Sequence, residues 1–334
     1  RAALKFGTGS SGSRLTTGGT FIASELEKRL ADFKHSESAL VFNTGYMTNL
    51  GVLYGLMQTG DVVFSDELNH ASIIDGCRIS RCKVVVYKHN DMADLQRLLE
   101  TEIVTGQRFI VTDGVFSMDG DIADLPSLAV LKKQFNACLI VDDAHGVGVI
   151  GNDGSGTASH YGLTDVIDLQ VGTLSKALAA EGGYVAGKKI LIDYLINRSR
   201  PFIFSTALAP ATLAAANAAL LLLQTQASKY LDSLRANSRL MRRLLLEGGL
   251  NVVEGITPII PVVIGEAGLT MQFADRLKSK GILVSGIRPP TVPRGESRLR
   301  ITVTAAHCEE QLRQAAQIIT ALWQELKHGE KKEG

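Results

Sequence analysis

The α/β character of this chain is set by the segment LIVDDAHG, residues 139–146. An apolar run rich in β-branched residues ends there in an acidic pair and a histidine, a pattern typical of a buried parallel strand with polar groups at its carboxyl end. Open α/β sheets bind their ligands at that edge. Asp142 and His145 are therefore predicted to reach one flat heterocycle, although both could simply cap the following turn. Asp143 points the other way along an extended chain, so we expect a structural role for it.

A second segment, GTLSKA at residues 172–177, follows a strand pattern at residues 168–171. A lysine at the end of a strand, with the hydroxyl of Thr173 three residues before Lys176, is how an enzyme can hold an aldehyde cofactor as a Schiff base and bind its phosphate nearby. A carboxylate such as Asp142 can keep a pyridine nitrogen protonated, so that the ring accepts electrons from a substrate carbanion. Without this context, Lys176 would be interpreted as a solvated surface charge.

Strand and helix patterns alternate along the first two-thirds of the chain, which predicts an α/β fold with a mostly parallel sheet. Apolar strands are predicted over residues 61–65, 83–87, 108–113, 137–141, 168–174 and 182–186, with helices such as 90–105 between them. One or two long helices follow over 209–247. The order strand, helix, strand, helix at 258–265, 270–280, 298–304 and 309–327 then predicts a smaller α+β domain. We therefore expect a major domain over residues 1–228 and a smaller C-terminal domain over 229–334.

Composition limits the classes of function. The 334 residues carry 35 Lys and Arg against 34 Asp and Glu, so neither nucleic acid nor an anionic membrane surface is an expected partner. The longest strongly apolar stretch, residues 213–223, is too short to span a bilayer. Four cysteines show no metal-ligand spacing, so no metal is expected, and free thiols in a reducing cytoplasm are the simplest account.

A phosphate needs donors, and the segment NTGYMTN at residues 43–49 offers them at the start of a predicted helix. Gly45 lets the backbone approach a ligand closely, and the unpaired amides of Gly45 and Tyr46 carry the positive end of the helix dipole. Taken alone, a Thr-Gly pair before a helix is usually only a helix cap.

Together with VFSMDGD at residues 115–121 and NHAS at residues 69–72, these segments resemble the α-oxoamine synthases, which are pyridoxal-phosphate enzymes of fold type I. The order and spacing of the motifs match over nearly the whole chain. The resemblance implies a fold type I PLP-dependent transferase, with a mostly parallel seven-stranded sheet that has helices on both faces and a smaller α+β C-terminal domain. It also implies that pyridoxal 5'-phosphate is bound at Lys176, with Asp142 at the ring nitrogen and His145 beside the phenolic oxygen.

The resemblance extends to further site residues. It implies that His70 stacks on the cofactor ring near the substrates and that Ser117 lies near the ring oxygen. It implies phosphate contacts from a set of backbone and hydroxyl groups, namely Gly45, Tyr46, Thr173, Ser205 and Thr206, the last two from the neighbouring subunit of a homodimer with shared active sites. Without the resemblance, an exposed loop histidine and a turn serine would need no function.

Two segments, IRPPTVP at residues 287–293 and SRLRIT at residues 297–302, concern the substrate. The planar fork of arginine suits a carboxylate, and Arg298 and Arg300 share one face of the predicted strand. A solvated face is the alternative. The resemblance implies that Arg300 holds the α-carboxylate of an amino acid, and it places Arg14, His70, Arg288 and Thr291 in the same substrate site.

The loop at residues 287–293 is most similar to that of family members in the biotin pathway, which condense L-alanine with a pimeloyl thioester and release carbon dioxide. Leu15, which follows Arg14, cannot make the hydrogen bond that an asparagine makes in some glycine-using relatives. The resemblance therefore implies a cytoplasmic acyltransferase that uses alanine. Glycine-using synthesis and a non-catalytic family subunit are the alternatives, and the presence of Lys176 counts against the second.

Two departures from the family pattern stand out. Ala23 occupies a position where many relatives carry a histidine, which bears on the acyl tunnel. The chain begins at Arg1 without a methionine or a signal-peptide pattern, and the Ser-Asn-Asp-Tyr-Leu-Gly type motif of the family is not found. We therefore expect that the chain is trimmed at its N-terminus.

Overall fold

The computed structural model describes the backbone of residues 1–333 and the side chains of residues 1–327. The chain divides into two compact units. The first comprises Arg1–Phe116 and Ile122–Ala227, and the second comprises Ser117–Asp121 together with the chain from Ser228 onward. The assignment of residues 1–228 and 229–334 as two functional domains stays a prediction.

The first unit is built on a seven-stranded sheet with the order β1-β7-β6-β5-β4-β2-β3. Its strands are β1 Ser38–Phe42, β2 Val62–Asp66, β3 Lys83–Tyr87, β4 Arg108–Asp113, β5 Ala137–Asp142, β6 Leu169–Thr173 and β7 Gly183–Gly187. Strand β7 is antiparallel to both of its neighbours, and every other pairing is parallel. The predicted mostly parallel sheet of seven strands is confirmed, although β1 was not among the strands predicted from the sequence.

Helices cover both faces of this sheet because successive strand residues point to opposite sides. In β1, Leu40 and Phe42 join one hydrophobic cluster, while Ala39 and Val41 join another on the opposite face. The helices of this unit, with the long helix that leads into the second one, are α1 Ala2–Phe6, α2 Phe21–Phe33, α3 Gly45–Leu56, α4 Ala71–Ile79, α5 Met92–Thr101, α6 Leu125–Gln134, α7 Thr157–His160, α8 Lys189–Arg198, α9 Arg200–Ile203 and α10 Pro210–Glu247. Helix α10 is interrupted by non-helical backbone at Gln226.

The second unit contains a three-stranded antiparallel sheet with the order β8-β10-β9. Its elements are β8 Ile259–Gly265, α11 Ala267–Ser279, β9 Ser285–Ile287, β10 Ser297–Thr302 and α12 Glu309–Glu333. The core of this unit includes a stacked pair of rings, Phe273 and Trp323, with centroids 5.7 Å apart. The predicted smaller domain of strands and helices is confirmed, and the three-residue strand β9 is an addition to it.

A buried ion pair ties α2 to the turn that follows β5. Lys34 Nζ donates to Asp143 Oδ2 at 2.8 Å, and the side chains are 0% and 1% exposed. The Asp143 carboxylate also accepts from the amide and the hydroxyl of Thr157, so the buried charge is well compensated. A Cβ on Gly156, which has φ +114°, would overlap that carboxylate. The structural role expected for Asp143 is therefore what the structure shows.

We expect Lys34→Met to lower the free energy of unfolding by about 3–5 kcal/mol, because it leaves the Asp143 carboxylate buried without its counter-charge. The pair of Lys83 and Glu102, in which the lysine side chain is 60% exposed, provides the control. Lys83→Met should change the free energy of unfolding by about 1 kcal/mol or less. Urea unfolding of both variants checks the prediction, and equal losses in the two would contradict it.

Candidate active site

Three neighbouring strands deliver polar groups to one edge of the large sheet. Asp113 at the end of β4 lies opposite Asp142 at the end of β5, and Asp142 lies opposite Val171 in β6. Lys176 follows β6 after a short exposed turn. Since β4, β5 and β6 are parallel, their carboxyl ends share one edge, and the candidate amine and carboxylate are brought to the same place.

The pKa of the Asp113 carboxyl reflects its interaction with Asp142 and Lys176. Burial raises its pKa well above the ordinary value, and the neighbouring Asp142 raises it further. The backbone amide of His70, 2.8 Å from Asp113 Oδ2, and the positive charge of Lys176 oppose this shift. Asp113 is therefore the carboxyl of this edge that favours its neutral form.

A chain of side-chain hydrogen bonds connects Asp142 to His70. Asn49 Nδ2 donates to Asp142 Oδ2 at 2.6 Å and to Ser72 Oγ at 2.8 Å. Ser72 Oγ in turn lies 2.8 Å from His70 Nδ1. The ring of His70 and the carboxylate of Asp142 are thus joined through two side chains on α3 and α4.

Asn69 fixes the backbone on which His70 sits. Its side-chain nitrogen donates to Ser65 Oγ and to the carbonyl of Val111, both at 2.9 Å, and its oxygen accepts from the amide of Asp113. The loop before α4 is therefore tied to the ends of both β2 and β4. His70 itself serves as the N-cap of α4, accepting from the amide of Ser72 at 3.2 Å.

His145 lies in the turn that the Asp143 ion pair holds. The amide of Ala144 donates to Asp142 Oδ1 at 3.0 Å, and the amide of Gly146 donates to the carbonyl of Asp143 at 2.9 Å. The half-buried His145 therefore stands on a backbone fixed from both sides.

The protein groups predicted to bind phosphate lie at and around the N-terminus of α3. The side chain of Thr44 caps the helix by accepting from the amide of Met47 at 3.0 Å. The amides of Gly45 and Tyr46, at the start of the helix, have no intrahelical partner. A Cβ on Gly45 would lie 3.3 Å from the Cβ of Thr173, and one on Gly183 would lie 2.6 Å from the nitrogen of Gly45. Glycine at both positions therefore lets α3 approach β6 and β7 closely.

The remaining predicted groups of the first unit surround this end of α3. Thr173 Oγ1 donates to the carbonyl of Gly182 at 3.0 Å, and its side chain is buried. The hydroxyl of Tyr46 bonds to Asp75, and this hydrogen bond raises the pKa of Tyr46. Tyr46 itself is exposed, so its ring borders the helix terminus from the solvent side.

The segment carrying Ser205 and Thr206 lies at the surface of the first unit. The carbonyl of Thr206 accepts from Asn43 Nδ2 at 2.8 Å, and Thr206 forms an isolated bridge with Ser13. The ring of the preceding Phe204 is 69% exposed. The backbone of this segment is therefore anchored, while Thr206 is exposed and Ser205 is half-buried.

Arg14, predicted to touch substrate, forms a bidentate ion pair in the structure. Its two terminal nitrogens lie 2.8 and 2.9 Å from the carboxylate of Glu27, which also accepts from the amide of Val41. Its guanidinium lies over the ring of Phe202. Ala23, where the resemblance led us to expect a histidine, lies on α2 and is buried in an apolar cluster.

In the second unit, Ser117 and Arg300 are in contact. Arg300 Nε donates to the carbonyl of Ser117, and burial lowers the pKa of Arg300. Arg298 pairs with Asp119, and its side chain is only 5% exposed. The alternative of a solvated arginine face is therefore wrong for Arg298, because both arginines bind the segment 117–119.

Arg288 and Thr291 lie in the exposed loop after β9. The amide of Thr291 donates to the carbonyl of Arg288 at 3.1 Å, which makes this part of the loop a turn. Both side chains are exposed, and Val292 is buried beneath them.

The residues at the sheet edge of the first unit fit pyridoxal phosphate. These residues are the amine of Lys176, the carboxylate of Asp142 and the first backbone amides of α3, which have no intrahelical partner. The amides lie beside Gly45 and Gly183, where a larger side chain would fill the space. Among the described residues, no group of three potential metal ligands was found. No helix within the described part of the chain is both long enough and apolar enough to cross a membrane.

Sequence reasoning missed Asn49, Asp113 and Lys34. Asn49 lies on the buried side of α3 and Lys34 is the buried residue that follows α2, and the sequence pattern at these positions carries no indication of their distant partners. Asp113 ends a predicted strand beside Asp142, and the rule that parallel strand ends share an edge could have found it.

A protein-family model described as aminotransferase class I and II matches residues 1–319. Among curated proteins, an 8-amino-7-oxononanoate synthase of Lysinibacillus sphaericus is 52% identical over 92% of this chain and 79% of its own length. One of Geobacter sulfurreducens is 51% identical over 97% of this chain and 83% of its own length.

Solved structures are similar as well. A Sphingomonas wittichii serine palmitoyltransferase matches with a TM-score of 0.95 and 31% identity, covering 98% of this chain and 82% of its own. An SPT structure with its PLP internal aldimine gives the same TM-score at 32% identity, with the same coverage. An 8-amino-7-oxononanoate synthase of Francisella tularensis matches with a TM-score of 0.81 and 31% identity, covering 98% and 91%.

The raised pKa of Asp113 gives a prediction for the apoprotein. Because the folded pKa lies above the unfolded value of about 3.9, the folded state loses stability as pH rises through the folded pKa. Asparagine mimics the neutral carboxyl and cannot titrate. We therefore expect the stability of Asp113→Asn relative to the unsubstituted protein to increase as pH rises above the unfolded value of about 3.9.

Urea unfolding across that range measures the difference, and Asp193→Asn, at an exposed position on α8, serves as the control. A difference that stays constant with pH would refute the assignment of Asp113 as the carboxyl with the raised pKa.

Proposed function

The chain belongs to the aminotransferase class I and II family, and on that premise we propose that it condenses L-alanine with a pimeloyl thioester in biotin biosynthesis. A carbon–carbon bond forms between the alanine α-carbon and the thioester carbonyl carbon. The thiol leaves, the alanine carboxylate is lost as carbon dioxide, and 8-amino-7-oxononanoate results. The observation that carries this proposal is about 50% identity to 8-amino-7-oxononanoate synthases over more than nine-tenths of the chain.

Pyridoxal 5'-phosphate, when bound, supplies a ring that withdraws electrons from the substrate α-carbon. Lys176 Nζ would hold the cofactor, and its amine would take the α-proton of the amino acid and later return a proton. Asp142 holds a proton on the ring nitrogen, and its two hydrogen-bond donors, Asn49 and the amide of Ala144, favour its ionised form.

His70 and His145 border the ring in this proposal. His70 covers one ring face and lies near the substrates, and its position is set by Asn69 and Ser72. His145 would hold the phenolic oxygen from the fixed turn after β5, and Ser117 would be a second partner of that oxygen.

The phosphate is held by the N-terminus of α3 in this proposal. The amides of Gly45 and Tyr46 donate to it, and the helix dipole favours its negative charge. Thr173 lies against Gly45, and its hydroxyl, which donates to the carbonyl of Gly182 in this structure, would turn its proton to the phosphate.

Ser205 and Thr206 are proposed to contact the phosphate of a second copy, which makes the active site the property of a homodimer. The exposed side chain of Thr206 and the exposed ring of Phe204 beside it support this proposal, because groups that face outward can reach a second copy. Light scattering of the cofactor-loaded protein tests it, and a monomer would argue against it.

We propose that arginine side chains bind or border the two substrates. Arg300 holds the alanine carboxylate, and Arg14, Arg288 and Thr291 border the acyl thioester. Arg14 already satisfies Glu27, so its role is to shape the wall of the acyl site through that pair.

A cytoplasmic location is also proposed, supported by four free cysteines. Burial raises the pKa of Cys77 to about 12, so this thiol is inert near neutral pH.

Lys176→Ala should abolish both the visible absorbance of the cofactor complex and turnover, because the variant lacks the amine that binds the cofactor and moves the proton. Lys189→Ala, at an exposed lysine on α8, should retain both. Absorbance spectroscopy and a product assay with L-alanine and a panel of acyl thioesters provide the readouts. Full activity in Lys176→Ala would overturn the central assignment, and faster turnover with glycine than with alanine would favour the glycine-using alternative.

Arg300→Gln should raise KM for alanine by about tenfold to a hundredfold, since a hydrogen bond to a charged group is worth about 1.5–3 kcal/mol. Arg313→Gln, on the exposed face of α12, should leave KM unchanged. Steady-state kinetics at saturating thioester measures both values. An unchanged KM in Arg300→Gln would remove this residue from the carboxylate site.

A further inference from the structure

Asn49 occupies a position between two parts of the proposed cofactor site. It is 2% exposed and lies on α3, four residues after Gly45. Residues four apart share one face of a helix and are separated by about 6 Å along its axis. The same helix therefore presents its open amides to the proposed phosphate position and, one turn later, the Asn49 side chain to Asp142.

Both N–H bonds of the Asn49 amide have an acceptor. One donates to Asp142 Oδ2 at 2.6 Å and the other to Ser72 Oγ at 2.8 Å. A primary amide nitrogen has two hydrogens and no acceptor capacity, so the direction of both bonds is fixed. Donation to Asp142 favours its ionised form without adding a second charge to the site.

The hydrogen bonds between Ser72 and His70 also have a definite direction. The amide of Ser72 must donate to His70 Nδ1, which makes Nδ1 an acceptor. Ser72 Oγ accepts from Asn49, so its own proton is available for His70 Nδ1 at 2.8 Å. An imidazole whose Nδ1 accepts a hydrogen bond has no proton on that nitrogen, so the neutral ring carries its proton on Nε2.

We propose that Asn49 is a positioning residue that holds Asp142 ionised and oriented, and that fixes His70, through Ser72, in the form protonated on Nε2. This proposal rests on the proposed function and adds to it the origin of the geometry of Asp142 and His70. The competing explanation is that Asn49 only packs within the core.

Asn49→Asp separates these explanations because aspartate has the shape of asparagine but carries no N–H donor. At about pH 8 we expect it to weaken cofactor binding at least tenfold, since a hydrogen bond to a charged partner is lost and two carboxylates are placed together. As pH falls towards about 6, the new carboxyl is protonated and can donate to Asp142, so the loss should shrink. Asp113, His70 and Lys176 are the neighbouring ionisable groups that this site adds to Asp142, and they are present in both proteins.

Val52→Ala is the matched control, since Val52 is fully buried on the same helix and its apolar side chain cannot form a hydrogen bond with Asp142. It should lower the unfolding midpoint while leaving the dissociation constant for pyridoxal phosphate unchanged. The constant is measured by absorbance titration of each apoprotein at several pH values. A loss in Asn49→Asp that does not depend on pH, or an equal loss in Val52→Ala, would overturn the proposal.

A second measurement needs no variant and covers the case in which Asn49→Asp does not fold. Nitrogen-15 NMR of the histidine rings in the unsubstituted protein should show His70 as the Nε2–H form. A dominant Nδ1–H form would refute the directed chain. If the unsubstituted protein failed to bind the cofactor, the proposed function would fail, whereas binding and turnover with an unaffected Asn49→Asp would remove only this inference.

Discussion

The buried charge of Asp143 is the constraint on which the candidate site depends. Its carboxylate is neutralised by Lys34 and bonded by Thr157, and its amide donates to the carbonyl of Val171 in β6. A carboxylate in the interior is tolerated only with such complete compensation. The turn that carries Asp142 on one side and His145 on the other is therefore held in a single conformation.

A network of side-chain hydrogen bonds extends outward from that turn. Asp142 is bonded by Asn49 from α3 and by the amide of Ala144, and Asn69 ties the His70 loop to the ends of β2 and β4. Buried networks of this kind specify one arrangement only when each member is satisfied. A rigid edge of this kind suits a cofactor whose ring must be held in one orientation while protons move around it.

Much of the fold could be predicted because the strands are strongly apolar and end in turn residues. Strands β3 and β4 begin and end at the predicted residues, and β5 extends one residue further. Strand β1 was missed because a run of four apolar residues between two helices has no period that separates a strand from a helix segment. Strand β9 was missed because its three residues include a glycine, which weakens any strand pattern.

The sequence by itself determined the chemical types at the sheet edge, since Lys176, Asp142 and His145 each follow a local strand pattern. Tertiary structure alone decided which distant side chains meet them. Asn49 and Asp142 are 93 residues apart along the chain, and Lys34 and Asp143 are 109 apart. Periodicity reports which way a side chain faces but not what it will touch, because that contact depends on how helices pack on the sheet.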